Sequence, residues 1–286
     1  SLFLGVSVLL LAACSKQPDT ASSEQKNDAA GLQTVVIAST GSDADIWRHI
    51  ASLPETKAAG IKLEVKNFTD YVAMNTAVAN KEVDLNAFQS YAYLVAFNAA
   101  NKDKIAPVST TYLEPMGIYS NKVKKVEEFA QGATIAIPND GANESRALLL
   151  LQSAGLIKLK PDFDPVKGTP ADIIENSKKI VIKPIQMATA VRVKDEVDAI
   201  LLGNTLAMEG GLNVLKDAIF YEPIDQSTKL NINILATAES RKDDPVLQKV
   251  GALYHTEAVK KYVQEHFAGT KVDVNKPISY LTEANP

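Results

Sequence analysis

Arg146 stands in the first turn of a segment that reads as a helix from about Asn143 to Ala154, just behind the turn Pro138-Asn139-Asp140-Gly141 and ahead of the apolar run Leu148 to Leu151. A helix N-terminus offers free backbone N–H groups and a partial positive charge. A guanidinium added there suits a carboxylate, which it can hold through two parallel hydrogen bonds. The same arginine could instead pair with Asp140 or Glu144 as a structural ion pair, and sequence alone leaves both readings open. Phe68, Tyr71, Phe88, Tyr91 and Tyr93 crowd one stretch although aromatics make up only 6% of the chain. Aromatics near strand ends can wall an apolar pocket, or they can be ordinary core. Asn204, Asn231 and Asn233 are turn or strand residues, or polar groups that orient a ligand. His49, His255 and His266 are scattered and read as surface residues. No nucleophile elbow, Walker loop, cysteine pair or His-Glu-x-x-His spacing is present, so no acid, base and nucleophile group argues for an enzyme, and no metal site or cofactor is expected.

These residues have to be positioned by something, and the apolar patterning says what. Leu32 to Ser39 is a β-branched run followed by a Thr40-Gly41-Ser42-Asp43 turn and by Ile46, Trp47 and Ile50 at helical spacing. Lys62 to Phe68 alternates as a strand, Tyr71 to Ala79 reads as a helix and Val83 to Phe88 as a strand. The order is βαβαβ, which implies a mostly parallel sheet flanked by helices. It returns downstream with strand Ala133–Ile137, the Arg146 helix and strand Lys179–Lys183. Residue types repeat as well: Met74-Asn-Thr-Ala-Val78 with Lys81-Glu-Val-Asp84 matches Met187-Ala-Thr-Ala-Val191 with Lys194-Asp-Glu-Val-Asp198. Two related lobes are expected, lobe 1 from 32–113 plus 236–286 and lobe 2 from 114–235. Tyr112 to Ser120 and Leu230 to Thr237 would cross between them, and the helical region Pro245 to Ala268 would return to the first. In open α/β sheets the ligand crevice lies at the carboxyl ends of the strands, so the loops after Ile37, Phe88, Ile137 and Leu202 should face it.

The chain has 286 residues, 46% of them hydrophobic, and 30 basic against 34 acidic residues for a formal charge of -4. No block of like charge marks a nucleic-acid partner. Leu2 to Ala13 is an apolar run of about a dozen residues where a membrane-spanning helix needs about twenty. It reads as the apolar region of a signal peptide, 1–13. Leu11-Ala12-Ala13-Cys14 fits a lipoprotein signal box, in which Cys14, the only cysteine, would carry the lipid. Residues 14–31 then form a polar tether, and the folded body would sit on the cell envelope, facing the periplasm or the exterior.

The segments Phe68-Thr-Asp-Tyr71-Val, Asp84-Leu-Asn86-Ala-Phe88-Gln89, Ala136-Ile-Pro138-Asn139-Asp140, Asn143-Glu-Ser-Arg146-Ala-Leu-Leu-Leu-Leu-Gln152 and Gly155-Leu-Ile-Lys-Leu-Lys160 together resemble the methionine-binding lipoprotein (MetQ/NlpA) family of ABC importers over nearly the whole mature length. The resemblance implies a two-lobe periplasmic-binding-protein fold, type II-like, with the ligand cleft between the lobes. It implies no enzymatic activity, an amino-acid ligand with L-methionine foremost, and delivery to an ABC permease with its ATPase subunits. It assigns the ligand carboxylate to Arg146, the amino-acid backbone groups to Asn233 and Asn204, and the side-chain wrap to Tyr71, Phe88 and Tyr93. Asn143 and Ser90 complete the expected set. Where the family reads Phe-Gln-His-x-Pro-Tyr-Leu, this chain has Phe88-Gln-Ser90-Tyr91-Ala92-Tyr93-Leu94, which predicts a roomier side-chain pocket unless Tyr91 fills it. Another apolar amino acid, a small methionine-containing peptide, or a surface lipoprotein without transport remain alternatives.

Overall fold

The computed structural model describes residues 26–283; the apolar leader and Cys14 lie outside the described residues. The first half runs β1 (Gln33–Ser39), α1 (Gly41–Ser52), α2 (Pro54–Ala58), β2 (Ile61–Asn67), α3 (Tyr71–Ala79), β3 (Leu85–Ser90), α4 (Tyr91–Ala100), β4 (Ile105–Thr110) and the short β5 (Tyr112–Leu113). The second half runs β6 (Met116–Tyr119), β7 (Thr134–Pro138), α5 (Gly141–Ser153), β8 (Lys158–Leu159), β9 (Ile173–Glu175), β10 (Val181–Ile185), β11 (Ala199–Gly203), α6 (Asn204–Glu209), α7 (Val214–Asp217) and β12 (Phe220–Tyr221). The chain then returns through β13 (Asn233–Ala238), α8 (Pro245–Tyr254), α9 (Glu257–Phe267), β14 (Val272–Asp273) and α10 (Ser279–Thr282).

Two five-stranded sheets result, ordered β2-β1-β3-β13-β4 and β10-β7-β11-β6-β12. In each, three parallel strands are followed by an antiparallel one that belongs to the chain's passage between the lobes: β13 against β3 and β4, β6 against β11 and β12. The internal repeat is thus a repeat of topology. The matched Asp84 and Asp198 explain part of it. Asp84 accepts the Val36 backbone N–H at 2.7 Å, and Asp198 accepts the Thr134 backbone N–H at 2.7 Å. Each carboxylate ties the start of its strand, β3 or β11, to the central strand beside it, satisfying an N–H that would otherwise lack a ladder partner.

Each sheet has its own core. Val35, Ile37, Trp47, Ile50, Leu247, Val250 and Phe267 pack the first, so α8 and α9 lie against the first sheet. Ile135, Ile137, Leu148, Leu151 and Leu201 pack the second. The long helical region is broken at His255 and Thr256 into α8 and α9. His255 is no surface residue: its side chain is 7% exposed, with Nδ1 2.7 Å from Asp273 and Nε2 2.8 Å from the Thr110 carbonyl. The first crossing narrows to Glu114 and Pro115 between β5 and β6. The second ends ahead of Asn233, because Asn233, Ile234 and Leu235 already pair in the first sheet.

Candidate functional site

The cleft lies where strand-end geometry places it. Thr40 and Asp43 follow β1, Ser90 ends β3 and Tyr93 comes after it, Asn143 and Arg146 follow β7, and Gly203, Thr205 and Leu206 end β11 and open α6; all line one cavity between the sheets. Tyr71, Phe88, Gln89, Glu114, Met187 and Asn233 complete its wall.

Lobe 1 supplies the apolar side. Tyr71, Phe88 and Tyr93 form a three-ring cluster, with Tyr71 and Phe88 centroids 5.1 Å apart, Phe88 and Tyr93 5.6 Å, and Tyr71 and Tyr93 6.3 Å nearly edge-on. Offset and edge contacts of this kind suit aromatic quadrupoles and leave ring faces for a ligand. Burial pushes the Tyr71 and Tyr93 phenols well above their ordinary value, so both stay neutral donors. Behind the rings a closed amide network holds β3 to α3: Asn75 Nδ2 donates to Gln89 Oε1 at 2.9 Å, Asn86 Nδ2 to Asn75 Oδ1 at 2.8 Å, and Gln89 Nε2 to both Asn75 and Asn86 carbonyl oxygens. Fully paired buried amides fix a backbone rigidly. With its amide turned so that the nitrogen faces these acceptors, Asn233 donates to the Gln89 and Phe88 carbonyls at 3.2 and 3.3 Å and to the Tyr112 hydroxyl at 3.3 Å.

Lobe 2 supplies the arginine. Asp140 caps α5 by accepting the Asn143 N–H at 3.0 Å, and its other oxygen takes the Asn143 side-chain amide at 3.2 Å. Neither Asp140 nor Glu144 is the ion partner of Arg146. That partner is Glu222, after β12: Arg146 Nε donates to both its oxygens at 3.0 Å and Nη2 to Oε1 at 2.6 Å, while Nη2 also reaches the Glu114 carbonyl at 2.9 Å. The ion-pair reading of Arg146 is thus corrected in its partner, and the side-on fork of the guanidinium is taken by Glu222. Among the described residues Nη1 has no hydrogen-bond partner, and Arg146 lines the cavity.

A buried cation cluster, missed in the sequence, sits beside this arginine. Lys271 Nζ lies 2.8 Å from Glu114 Oε2, 3.2 Å from Asp43 Oδ1 and 3.0 Å from Thr205 Oγ1, over the face of Tyr112 at 3.9 Å. Thr205 donates to Glu114 Oε1 at 2.9 Å and Asn204 to Oε2 at 3.0 Å. Burial works to raise the Glu114 carboxyl, but Lys271 and these donors hold it below the usual range. Burial raises Asp43, against the pull of Lys271. The only sequence signal for this cluster was the turn after β1, which contains Asp43; Glu114 and Lys271 gave none.

Of the expected residues, Tyr71, Phe88, Ser90, Tyr93, Asn143, Arg146 and Asn233 line the cavity. Asn204 does not; its amide is turned to Glu114. Ser90 Oγ caps α4 by accepting the Tyr93 N–H at 3.2 Å. Tyr91 and Ala92 leave the cavity wall: Tyr91 packs on the core around Met74 and Leu94, and Ala92 packs against Ala142 and Val166 of the other lobe. Successive residues of α4 point about 100° apart, so neither reaches the cavity, and of the three only Ser90 lines it.

Among the described residues no group of acidic, histidine and cysteine side chains could hold a metal ion. The family model for NlpA lipoprotein matches residues 35–275. A probable D-methionine-binding lipoprotein MetQ of Pasteurella multocida is 34% identical over 264 residues, covering 92% of this chain and 94% of that protein. Outer membrane lipoprotein 1 of Mannheimia haemolytica is 35% identical, covering 92% and 93%. Among solved structures, a nutrient binding protein from Burkholderia cenocepacia bound to methionine superposes with a TM-score of 0.79 at 34% identity, covering 84% of this chain and 99% of that one. The sheets, the cleft and these relatives agree: this chain belongs to the NlpA lipoprotein family.

Proposed function

We propose that the chain captures free methionine as a zwitterion in the cleft and delivers it to an inner-membrane ABC permease, held to the envelope by lipid on Cys14. The observation that carries the reading is the placement of opposite charges side by side. Arg146 Nη2 touches the backbone carbonyl of Glu114, and Glu114, an acidic residue, itself lines the same cavity. The α-carboxylate meets Arg146 Nη1 and the Asn143 amide, the α-ammonium meets Glu114, and the thioether lies among Tyr71, Phe88 and Tyr93, where sulfur–aromatic contacts are favourable. Charge balance supports the ammonium: two buried cations, Arg146 and Lys271, already face three carboxylates, Asp43, Glu114 and Glu222. A ligand bringing only an anion would deepen that imbalance in a medium of low dielectric. No turnover is expected, since no nucleophile with its base stands in the cavity. Relatives described as methionine-binding, and the methionine-bound neighbour, support the choice of side chain.

Calorimetric titration of ligand-free protein with L-methionine, N-acetyl-L-methionine, the corresponding 2-oxo acid and methionine dipeptides tests this. One-to-one binding of methionine is expected, with the acetylated and 2-oxo compounds weaker by about 100-fold. Equal binding of the 2-oxo acid would remove the ammonium from the account. Failure of every amino acid to bind would favour a surface lipoprotein without transport.

A further inference from the structure

The N-terminus of α1 faces the cleft without a cap of its own. Its N-cap Thr40 makes no side-chain cap bond, whereas α3, α4 and α5 are capped by Asp70, Ser90 and Asp140. Four N–H groups at a helix start need partners. Here the opposite lobe lays a carboxylate beside them. Glu209, the last residue of α6, lays its carboxylate against Gly41, so close that a Cβ built there would sit 1.7 Å from Oε1 and 2.8 Å from Cδ. The Ser42 backbone N–H works to lower the Glu209 carboxyl, against the burial that raises it. Gly41 also holds φ at +50°, a region that side chains with a Cβ disfavour. Glu209 does not line the ligand cavity; with Gly41, Ser42, Asp45 and Arg48 it lines a separate surface recess.

We infer that Glu209 is a positioning residue for cleft closure, a helix cap lent by lobe 2 to lobe 1 that raises ligand affinity without touching the ligand. This rests on the cleft-binding reading above. Apparent affinity scales with the population of the binding-competent form, and a contact joining the two lobes favours the shut form by its own free energy. Burial raises the Glu209 carboxyl, and Asp43 and Asp45 push the same way, against the Ser42 N–H and Lys271. Arg48 on α1 and His266 on α9 also border the recess. A carboxyl whose value is higher when buried than when exposed favours the buried form as pH falls through that range. Closure is therefore easier with the charge removed and the acceptor kept.

The test is methionine titration and dissociation kinetics on wild type, Glu209→Gln, Glu209→Ala and Gly41→Ala, with thermal unfolding of each ligand-free protein. Glu209→Ala is expected to lose about fivefold in affinity, mostly through faster dissociation, the size of a lost cap. Its ligand-free melting temperature should stay at the wild-type value. Glu209→Gln should bind at least as tightly as wild type, with less change between pH 7 and pH 5. Gly41→Ala should weaken binding as Glu209→Ala does. Wild-type binding with an unchanged affinity and dissociation rate in Glu209→Ala would overturn the inference and leave methionine binding standing. A weakened Glu209→Ala that also melts earlier without ligand would assign Glu209 to general stability and overturn it too. A wild type that binds no methionine would instead sink the reading it rests on.

Discussion

The two lobes share a sheet plan and part company at the strand ends. Asp84 and Asp198 make the same bond to the same kind of neighbour, and the antiparallel fourth strand recurs in both sheets. Beyond that, the matched blocks diverge. Met74 lies on a nine-residue helix and is wholly buried in lobe 1; Met187 opens a 3₁₀ stretch and lines the cleft in lobe 2. Lobe 1 brings rings to the cavity and lobe 2 brings the arginine. The bonds that close a sheet constrain a residue wherever the sheet is repeated, while strand ends are free to specialise.

The sharpest way to break this division is at the charged side. Arg146→Ala should abolish measurable methionine binding and also cost about 3–5 kcal/mol of stability, because Glu222 is left buried without its cation, holding only the Met116 N–H and the Asn231 amide. Arg146→Lys keeps a cation near Glu222, so it should restore most of the stability while binding stays at least tenfold weaker. Chemical denaturation alongside titration separates the two effects. On the apolar side, Phe88→Ala should cost about 1–3 kcal/mol in methionine affinity, with little change in the binding of smaller amino acids such as alanine. An equal loss for alanine would mean the rings do not hold the side chain.

The repeated aspartates sharpen the other half of the comparison. Asp84→Ala and Asp198→Ala should each destabilise by about 1–3 kcal/mol through an unsatisfied backbone N–H. Asp84 should cost more: it also pairs with the partly buried Arg241 at 2.6 Å, whereas Asp198 meets the more exposed Lys122 at 3.4 Å. Equal melting curves would show that the ion pairs add nothing. Ser90→His should shift the ranking of apolar amino acids, at about 1 kcal/mol of stability from the lost α4 cap. Adding Ala92→Pro should change that ranking no further, since Ala92 faces Ala142 rather than the cavity. The smallest effect expected is of pH. Glu114 is held below the ordinary carboxylate range, so it stays ionised from pH 8 down to pH 5, and its ammonium contact is lost only as pH falls through the lowered value. In Glu209→Gln, methionine affinity should be flat over that interval.

Much of this could be read from the chain itself because it is local. Strand alternation, the turn after each strand and a cap at Asp140 are set by neighbours in sequence, and they place all four cleft loops and Arg146. What could not be read joins distant segments. Glu222 lies 76 positions from Arg146 and Lys271 lies 228 from Asp43, so neither partner leaves a spacing signal. Tyr91 and Ala92 failed for a subtler reason: alignment assigned them to the pocket by position, but α4 begins at Tyr91, and its rotation carries successive side chains to different faces.

The central claim is that one cavity holds a carboxylate, an α-ammonium and a thioether chain at once. Mass spectrometry of the small molecule released from the mature protein purified without denaturation tests it most directly. The predicted result is free methionine at about one molecule per chain, absent from Arg146→Lys prepared in parallel. A bound compound lacking either the carboxylate or the free ammonium, retained equally by Arg146→Lys, would contradict the account.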